Sequence, residues 1–263
     1  MKKSIGIVAL AVCAMTITSC GAPTISREQA VAEANVIKET IAAGGEAAAG
    51  SVLALDYRTN ITEEMMGMKE TTESKGYVHI DMNQYYVRTL VENKVSVSGF
   101  GENESTTYSI EAYMFADGDM VYYGTIEKEN GEYLQNYHSS SPFTEYKTTL
   151  VNTIRGSYTQ IDAVFAQAIT AIFRVLDMYA TDEALKQAGI TLGSYGAGSL
   201  VITEKLDVTY NGQHQKSNTV IEFADYRLKT MESTVSADIN GISKNQSLDY
   251  NFNYDKCPIN KNI

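Results

Sequence analysis

The side chains able to carry chemistry are few and scattered along this 263-residue chain. His79, His138 and His214 lie far apart with no second His or Cys at ligand spacing, so no metal site is expected. No Gly-x-Ser-x-Gly elbow occurs and no Cys–His pairing is evident. Gly193-Ser194-Tyr195-Gly196-Ala197-Gly198 has the glycines of a phosphate loop. It lacks the Lys-Ser/Thr ending and leads into a strand, so it reads as a connector. Asp117-Gly118-Asp119 offers too few oxygen ligands for calcium and reads as a hairpin turn. Glu63-Glu64 and the Glu127–Glu132 segment read as solvated charge, with no carboxylate pair singled out for acid and base roles. Cys257 reads as a free thiol without a role. The chain is therefore expected to be no enzyme, with no catalytic residue, metal or cofactor.

Cys20 is the exception. Met1-Lys2-Lys3 is a short basic start, and Ile5 to Met15 is an almost unbroken apolar run. Its roughly ten residues suit a signal-peptide core and fall short of the about 20 needed to cross a bilayer. The run ends in Ile17-Thr18-Ser19-Cys20-Gly21, which resembles the bacterial lipobox: an aliphatic residue three before the cysteine, two small residues, then Cys. The resemblance implies that the thiol is alkylated by diacylglycerol and that cleavage before Cys20 makes it the lipid-bearing N-terminus. Each buried CH₂ contributes about 0.8 kcal/mol, so two or more palmitate-like chains anchor stably. The expected organisation is a cleaved signal peptide at 1–19, a lipidated tether at 20–25, one domain at 26–256 and a tail at 257–263. The expected location is the extracytoplasmic face of a cell membrane. No Asp follows the cysteine, which would not favour inner-membrane retention in a two-membrane cell.

Charge and thiol count bound the rest. The whole chain carries 21 basic and 32 acidic residues, net −11, and loss of Lys2 and Lys3 takes this to −13. Such a surface repels nucleic acid and anionic headgroups, so no nucleic-acid partner is expected. Beyond the anchor and Cys13 of the signal segment only Cys257 remains, so the domain must hold by packing without a disulfide. Eighteen Tyr and no Trp suit strands with one wet face.

Element by element, Ser26 begins a helix over about 26–42, with Ala30, Ala34, Ile37 and Ile41 at helical spacing. Glu46 to Gly50 reads as flexible. Period-two alternation marks strands at Val52–Tyr57, Val78–Met82, Tyr85–Val91, Tyr108–Phe115 and Met120–Ile126, with weaker candidates at Met65–Thr72 and Tyr133–Tyr137. The parity switch at Asn83-Gln84 predicts a tight hairpin, and Asp117-Gly118-Asp119 a second. Ile161, Val164, Phe165, Ala168, Ile169, Ile172, Phe173, Leu176 and Tyr179 form an apolar helical stripe over 160–179. Thr181 caps a short helix, Asp182 to Ala188. Strands follow at about 199–211, 217–224, 226–237 and 246–254, turned at Asn211-Gly212 and Asn240-Gly241. The order predicts an α+β fold: helices packed on the concave face of a large curved antiparallel sheet, a half-open β-barrel.

The segments Gly76-Tyr77-Val78-His79-Ile80-Asp81-Met82-Asn83-Gln84-Tyr85-Tyr86 and Phe115-Ala116-Asp117-Gly118-Asp119-Met120-Val121-Tyr122-Tyr123, with this element order, resemble the lipoprotein-carrier superfamily. That superfamily includes periplasmic lipoprotein carriers and lipid-binding mycobacterial surface lipoproteins, though tyrosine stands here where its strands are rich in tryptophan. The resemblance implies a half-open barrel with helices in its mouth and a lipid or other hydrophobic ligand held without catalysis. The stripe at 160–179 then either fills the core or lines a cavity for an acyl chain. The alternative is a cell-surface module whose tyrosine-bearing sheet face contacts protein or glycan. A carboxylate hydrolase is the third and weakest reading.

Overall fold

The computed structural model describes residues 22–210, 213–239 and 241–262. Cys20 and the signal segment lie outside them, as do Asn211-Gly212 and Asn240. Eleven strands form one antiparallel sheet. The first six are β1 (Val52–Met65), β2 (Met68–Asp81), β3 (Tyr86–Gly99), β4 (Glu102–Asp117), β5 (Met120–Glu129) and β6 (Glu132–Pro142). The rest are β7 (Ile190–Gly193), β8 (Leu200–Tyr210), β9 (Gln213–Ala224), β10 (Arg227–Ile239) and β11 (Ile242–Asn253). Neighbours in the sheet are neighbours in sequence except where β1 meets β11, which joins the two halves. The edges β6 and β7 stay apart. This is the expected α+β open half-barrel, with its helices on one face.

Capping sets the first helix. Ser26 Oγ accepts from the Gln29 amide at 3.2 Å, while the Gln29 side chain accepts from the Ser26 amide at 2.9 Å. This reciprocal box satisfies two otherwise orphaned donors and starts α1 (Arg27–Ala42). Residues 46–50, expected to be flexible, instead carry a helical turn, α2 (Gly45–Ala49). Its first amide donates to both Asp162 carboxylate oxygens at 3.0 and 3.1 Å, and Ala48 and Ala49 are buried. Small side chains here permit close approach to the long helix, which composition alone reads as looseness.

That helix, α3 (Phe143–Met178), has 36 residues and begins well before the expected position 160. Leu150, Ile154, Tyr158, Ile161, Phe165, Ala168, Ile172 and Leu176 recur at three- and four-residue steps and are all buried. Its first half hides among Thr, Ser and Gly156, which lower helix propensity. Thr153 and Ser157 turn their hydroxyls back onto the carbonyls four residues earlier, at 3.0 Å each. Burial of the stripe overrides the propensity. The short helix after Thr181 is present as α4 (Asp182–Gln187), capped at 3.1 Å by the Thr181 hydroxyl.

The core occupies only one end of the sheet. Leu53, Leu55, Val78, Ile80, Val87, Val121, Ile202, Ile221 and Phe223 meet the helices there. The other ends of the strands, at Met66-Gly67, Phe100-Gly101 and Asn130-Gly131, extend into water. Strands of about 14 residues at ~3.3 Å per residue span roughly 46 Å. Both expected hairpins form, at Met82–Tyr85 and at Asp117–Met120. Met65–Thr72, read as one weak strand, is instead the end of β1, a turn and the start of β2.

Two glycines are required by close approach. Gly76 lies opposite Tyr57 and Gly124 opposite Tyr113, each ring lying over the bare Cα. A Cβ at Gly124 would overlap the Tyr137 carbonyl and sit 2.5 Å from the Tyr113 hydroxyl. Gly124→Ala is therefore expected to cost about 1–3 kcal/mol, read as a lower urea midpoint. An unchanged midpoint would mean the ring swings away freely.

Residues 257–262, expected as a loose polar tail, are fastened across the outer sheet face. Ile259 and Cys257 cover Tyr86, Phe115 and Tyr122. The Asn260 amide donates to the Tyr86 hydroxyl at 3.2 Å, and Lys261 reaches Asp117 at 3.0 Å. An exposed aromatic cluster drives this docking, since covering it removes apolar area from water.

Candidate functional site

The stripe at 160–179 resolves into two faces. Phe165, Ile169, Ile172 and Leu176 are buried in the core. Tyr179 alone of the predicted stripe also reaches the cleft beside it. One face round the helix, Ala166, Thr170, Ala171, Arg174, Val175 and Met178 line a cleft of about 690 Å³. The opposite wall is the inner face of β8–β10, including Glu204, Leu206, Ser217, Thr219 and Val235. Glu204 pairs with Thr219 and Leu206 with Ser217 across β8 and β9. The space exists because short side chains face each other: Ala166, Thr170 and Ala171 from the helix, Ser217 and Thr219 from the sheet. The cleft lies within the range of about 300–1,000 Å³ typical of small-molecule sites, with mainly apolar walls and a few polar groups. Sequence reasoning passed over this face because it is only mildly apolar. The signal was a run of small residues beside a full core stripe.

The chain leading into α1 is bound along β7, where Thr24, Ile25 and Ser26 line a second cavity with α4. Thr24 bridges to Gly193, Ile25 donates to the Leu192 carbonyl at 3.2 Å, and Ser194 donates to the Pro23 carbonyl at 3.1 Å. The expected tether at 20–25 is thus laid along β7 from Pro23 onward. Arg27 Nε then donates to the carbonyls of Leu176 and Tyr179 at 2.9 and 2.8 Å. It neutralises the negative end of α3 where that helix lines the cleft.

The other chemistry-bearing residues gather on the outer face. His79, Arg88, Tyr113, Gly124 and His138 form one cross-strand row over β2–β6. His79 Nε2 lies 3.3 Å from Asp56, and its ring stacks on Tyr77 at 4.4 Å. Burial pushes the His79 pKa below its usual value, outweighing the raising effect of Asp56. Tyr77 donates to Glu111, and Arg88 Nε donates to Glu111 at 2.6 Å. Arg88 also donates to the carbonyls of Asn260 and Asn262 at 2.8 and 3.3 Å, so it clamps the C-terminal segment. Tyr113 and His138 hydrogen bond at 2.5 Å. His214 sits apart with Asp207 at 2.8 Å. The row spans five strands, so its two histidines lie roughly 19 Å apart by strand spacing and do not converge. Its polar groups are occupied by one another, which suits a clamp. Burial pushes the Cys257 thiol up to about 12, leaving it protonated and unreactive at neutral pH.

The fold and cleft define an open antiparallel half-barrel with a helix-walled apolar cleft. No protein-family model matches the chain, and no curated protein matches it. Among solved structures it is similar to a β-barrel-like protein of a domain of unknown function from Brucella abortus, with 9% identity and a TM-score of 0.21, covering 77% of this chain and 97% of that one. It is also similar to the translocator domain of the autotransporter NalP from Neisseria meningitidis, with 6% identity and a TM-score of 0.18, covering 86% of this chain and 94% of that one. The architecture described above rests on this chain's own strand order and packing.

Proposed function

We propose that this protein is an extracytoplasmic lipoprotein, anchored through Cys20, that holds a lipid or other apolar ligand in the cleft between α3 and β8–β10 without catalysis. The observation that carries the reading is the cleft itself, roomy and mainly apolar beside a well-filled core. The pairing of Pro23–Ile25 with β7 supports the anchored reading, since it fastens the chain to the domain three residues after Cys20. The resemblance of Ile17–Gly21 to a lipobox supports the anchor.

Two measurements test this. A metabolic fatty-acid probe should label the protein, and Cys20→Ala should abolish both labelling and detergent partitioning. Ala171→Trp, which fills the cleft, should weaken binding of a single-chain amphiphile about tenfold and leave the unfolding midpoint nearly unchanged. Full binding by the filled variant sinks the cleft reading.

The interaction-module alternative has an observation of its own. Met66 and Phe100 are 85% and 83% exposed at adjacent hairpin tips, where a Cβ on Gly99 would lie 2.9 Å from the Gly67 carbonyl. Tyr133, Leu134 and Tyr137 are exposed on edge strand β6. Loss of a copurifying envelope protein on Met66→Ser with Phe100→Ser, with amphiphile binding intact, would favour that reading.

A further inference from the structure

The cleft has opposite charges on its two walls, and neither is used. Arg174 stands on the α3 wall and Glu204 on the β8 wall. Among the described residues neither side chain makes an ion pair or a hydrogen bond, although both line the same space. Arg174 is exposed and Glu204 half-buried, which places the arginine nearer the mouth. Elsewhere the walls are mainly apolar, through Ala171, Val175, Leu206 and Val235.

From this juxtaposition we infer that the ligand is a single-chain amphiphile with a zwitterionic head, whose anionic group meets Arg174 and whose cationic group meets Glu204. This deepens the proposed function and rests on it. The charge pattern selects the head. An anionic head gains Arg174 but faces the Glu204 carboxylate, a cationic head meets the reverse conflict, and an uncharged head gains neither. Only a head with both signs engages both walls. Guanidinium pairs well with phosphate or carboxylate oxygens, and a carboxylate with an ammonium. The apolar stretch accounts for the chain, and the cleft volume, about 690 Å³, suits one chain better than several.

The test is titration calorimetry of the purified full-length protein with probes of one chain length. These are lysophosphatidylethanolamine, the anionic lysophosphatidylglycerol, the uncharged monoacylglycerol, an alkylammonium, and free phosphoethanolamine. The zwitterionic lipid is expected to bind about five- to tenfold tighter than each other lipid, because partly exposed charge contacts contribute modestly. Free phosphoethanolamine should not bind measurably. Arg174→Glu should remove the zwitterion's advantage and favour the alkylammonium. Arg174→Glu combined with Glu204→Arg should restore the zwitterion preference, which simple misfolding would not do. Equal binding of all chain-bearing probes, or tightest binding of the anionic one, overturns the head-group assignment and leaves the cleft reading intact. Binding of free phosphoethanolamine as tight as that of the lipid overturns the amphiphile. Binding of no probe overturns the proposed function and this inference together.

Discussion

Phe165→Ala is expected to lower the unfolding free energy by about 3–5 kcal/mol, because the ring is wholly buried and packs on Phe252 at 5.5 Å. A domain with a total stability of about 5–15 kcal/mol loses a large part of it. Val175→Ala, on the cleft wall and only half-buried, should cost about 1 kcal/mol or less. The contrast separates the two faces of α3. Urea unfolding of the two variants reads it directly, and similar losses would mean that the cleft face is core as well. The same reasoning rules out Phe165→Asp or Ile169→Asp as probes of ligand binding. Both positions are buried, and an unpaired carboxylate there would unfold the domain before it touched a ligand.

The second large effect is expected at Arg88. Arg88→Met leaves Glu111 with only Tyr77 and releases the Asn260 and Asn262 carbonyls. Removing one partner of a buried pair costs about 3–5 kcal/mol, and the partial exposure of Glu111 puts this case near the lower end. pH dependence distinguishes the pair from mere packing. Burial alone would raise the Glu111 pKa, but the hydrogen bonds and charge from Arg88 and Tyr77 hold it below its ordinary value. Its stabilising contribution is therefore complete above the unfolded carboxylate value of about 4.3 and is lost as pH falls through the lower folded value. Without Arg88, burial dominates, the folded value rises, and protonation favours the folded state. The gap between wild type and variant should be widest at neutral pH and narrow below about pH 4. His79, whose folded value is depressed mainly by burial, adds acid sensitivity below its ordinary value, and because the Arg88 charge contributes to that depression its share is smaller in Arg88→Met. Release of the C-terminal segment has its own readout: Cys257 should react faster with a thiol reagent in Arg88→Met. A gap that does not change with pH, together with an unreactive Cys257, would reduce Arg88 to a packing residue.

Strand legibility followed burial. Val78–Met82 and Tyr108–Phe115 were both found, because Val78 and Ile80 face the core while Tyr113 and Phe115 are buried in the cluster on the outer face. The outer half of β2, Lys69-Glu70-Thr71-Thr72-Glu73-Ser74-Lys75, is solvated on both faces and has no apolar period to read. It is held by its neighbours, through Thr62–Thr71 at 3.2 Å, Lys75–Glu92 at 2.8 Å and two continuous ladders. Cross-strand pairing of that kind has no signature in local sequence. The first half of α3 escaped for the converse reason: its apolar stripe was present, but Thr, Ser and glycine around it diluted the signal.

Local order was written in the sequence: the helix begun by Ser26, the turns at Asn83-Gln84 and Asp117-Gly118-Asp119, the apolar period of 160–179 and the alternation of helices with antiparallel strands. Each depends on residues within a few positions of one another, so short-range propensity and periodicity suffice. Tertiary structure alone decided the rest. It chose β11 as the partner of β1, laid residues 257–262 over Tyr86, gathered His79, Arg88, Tyr113 and His138 into one row, and left a cleft on the mildly apolar side of α3. Those outcomes depend on which surfaces meet across the sheet. A cavity in particular is the volume that facing side chains fail to fill, and no single segment of chain encodes that difference.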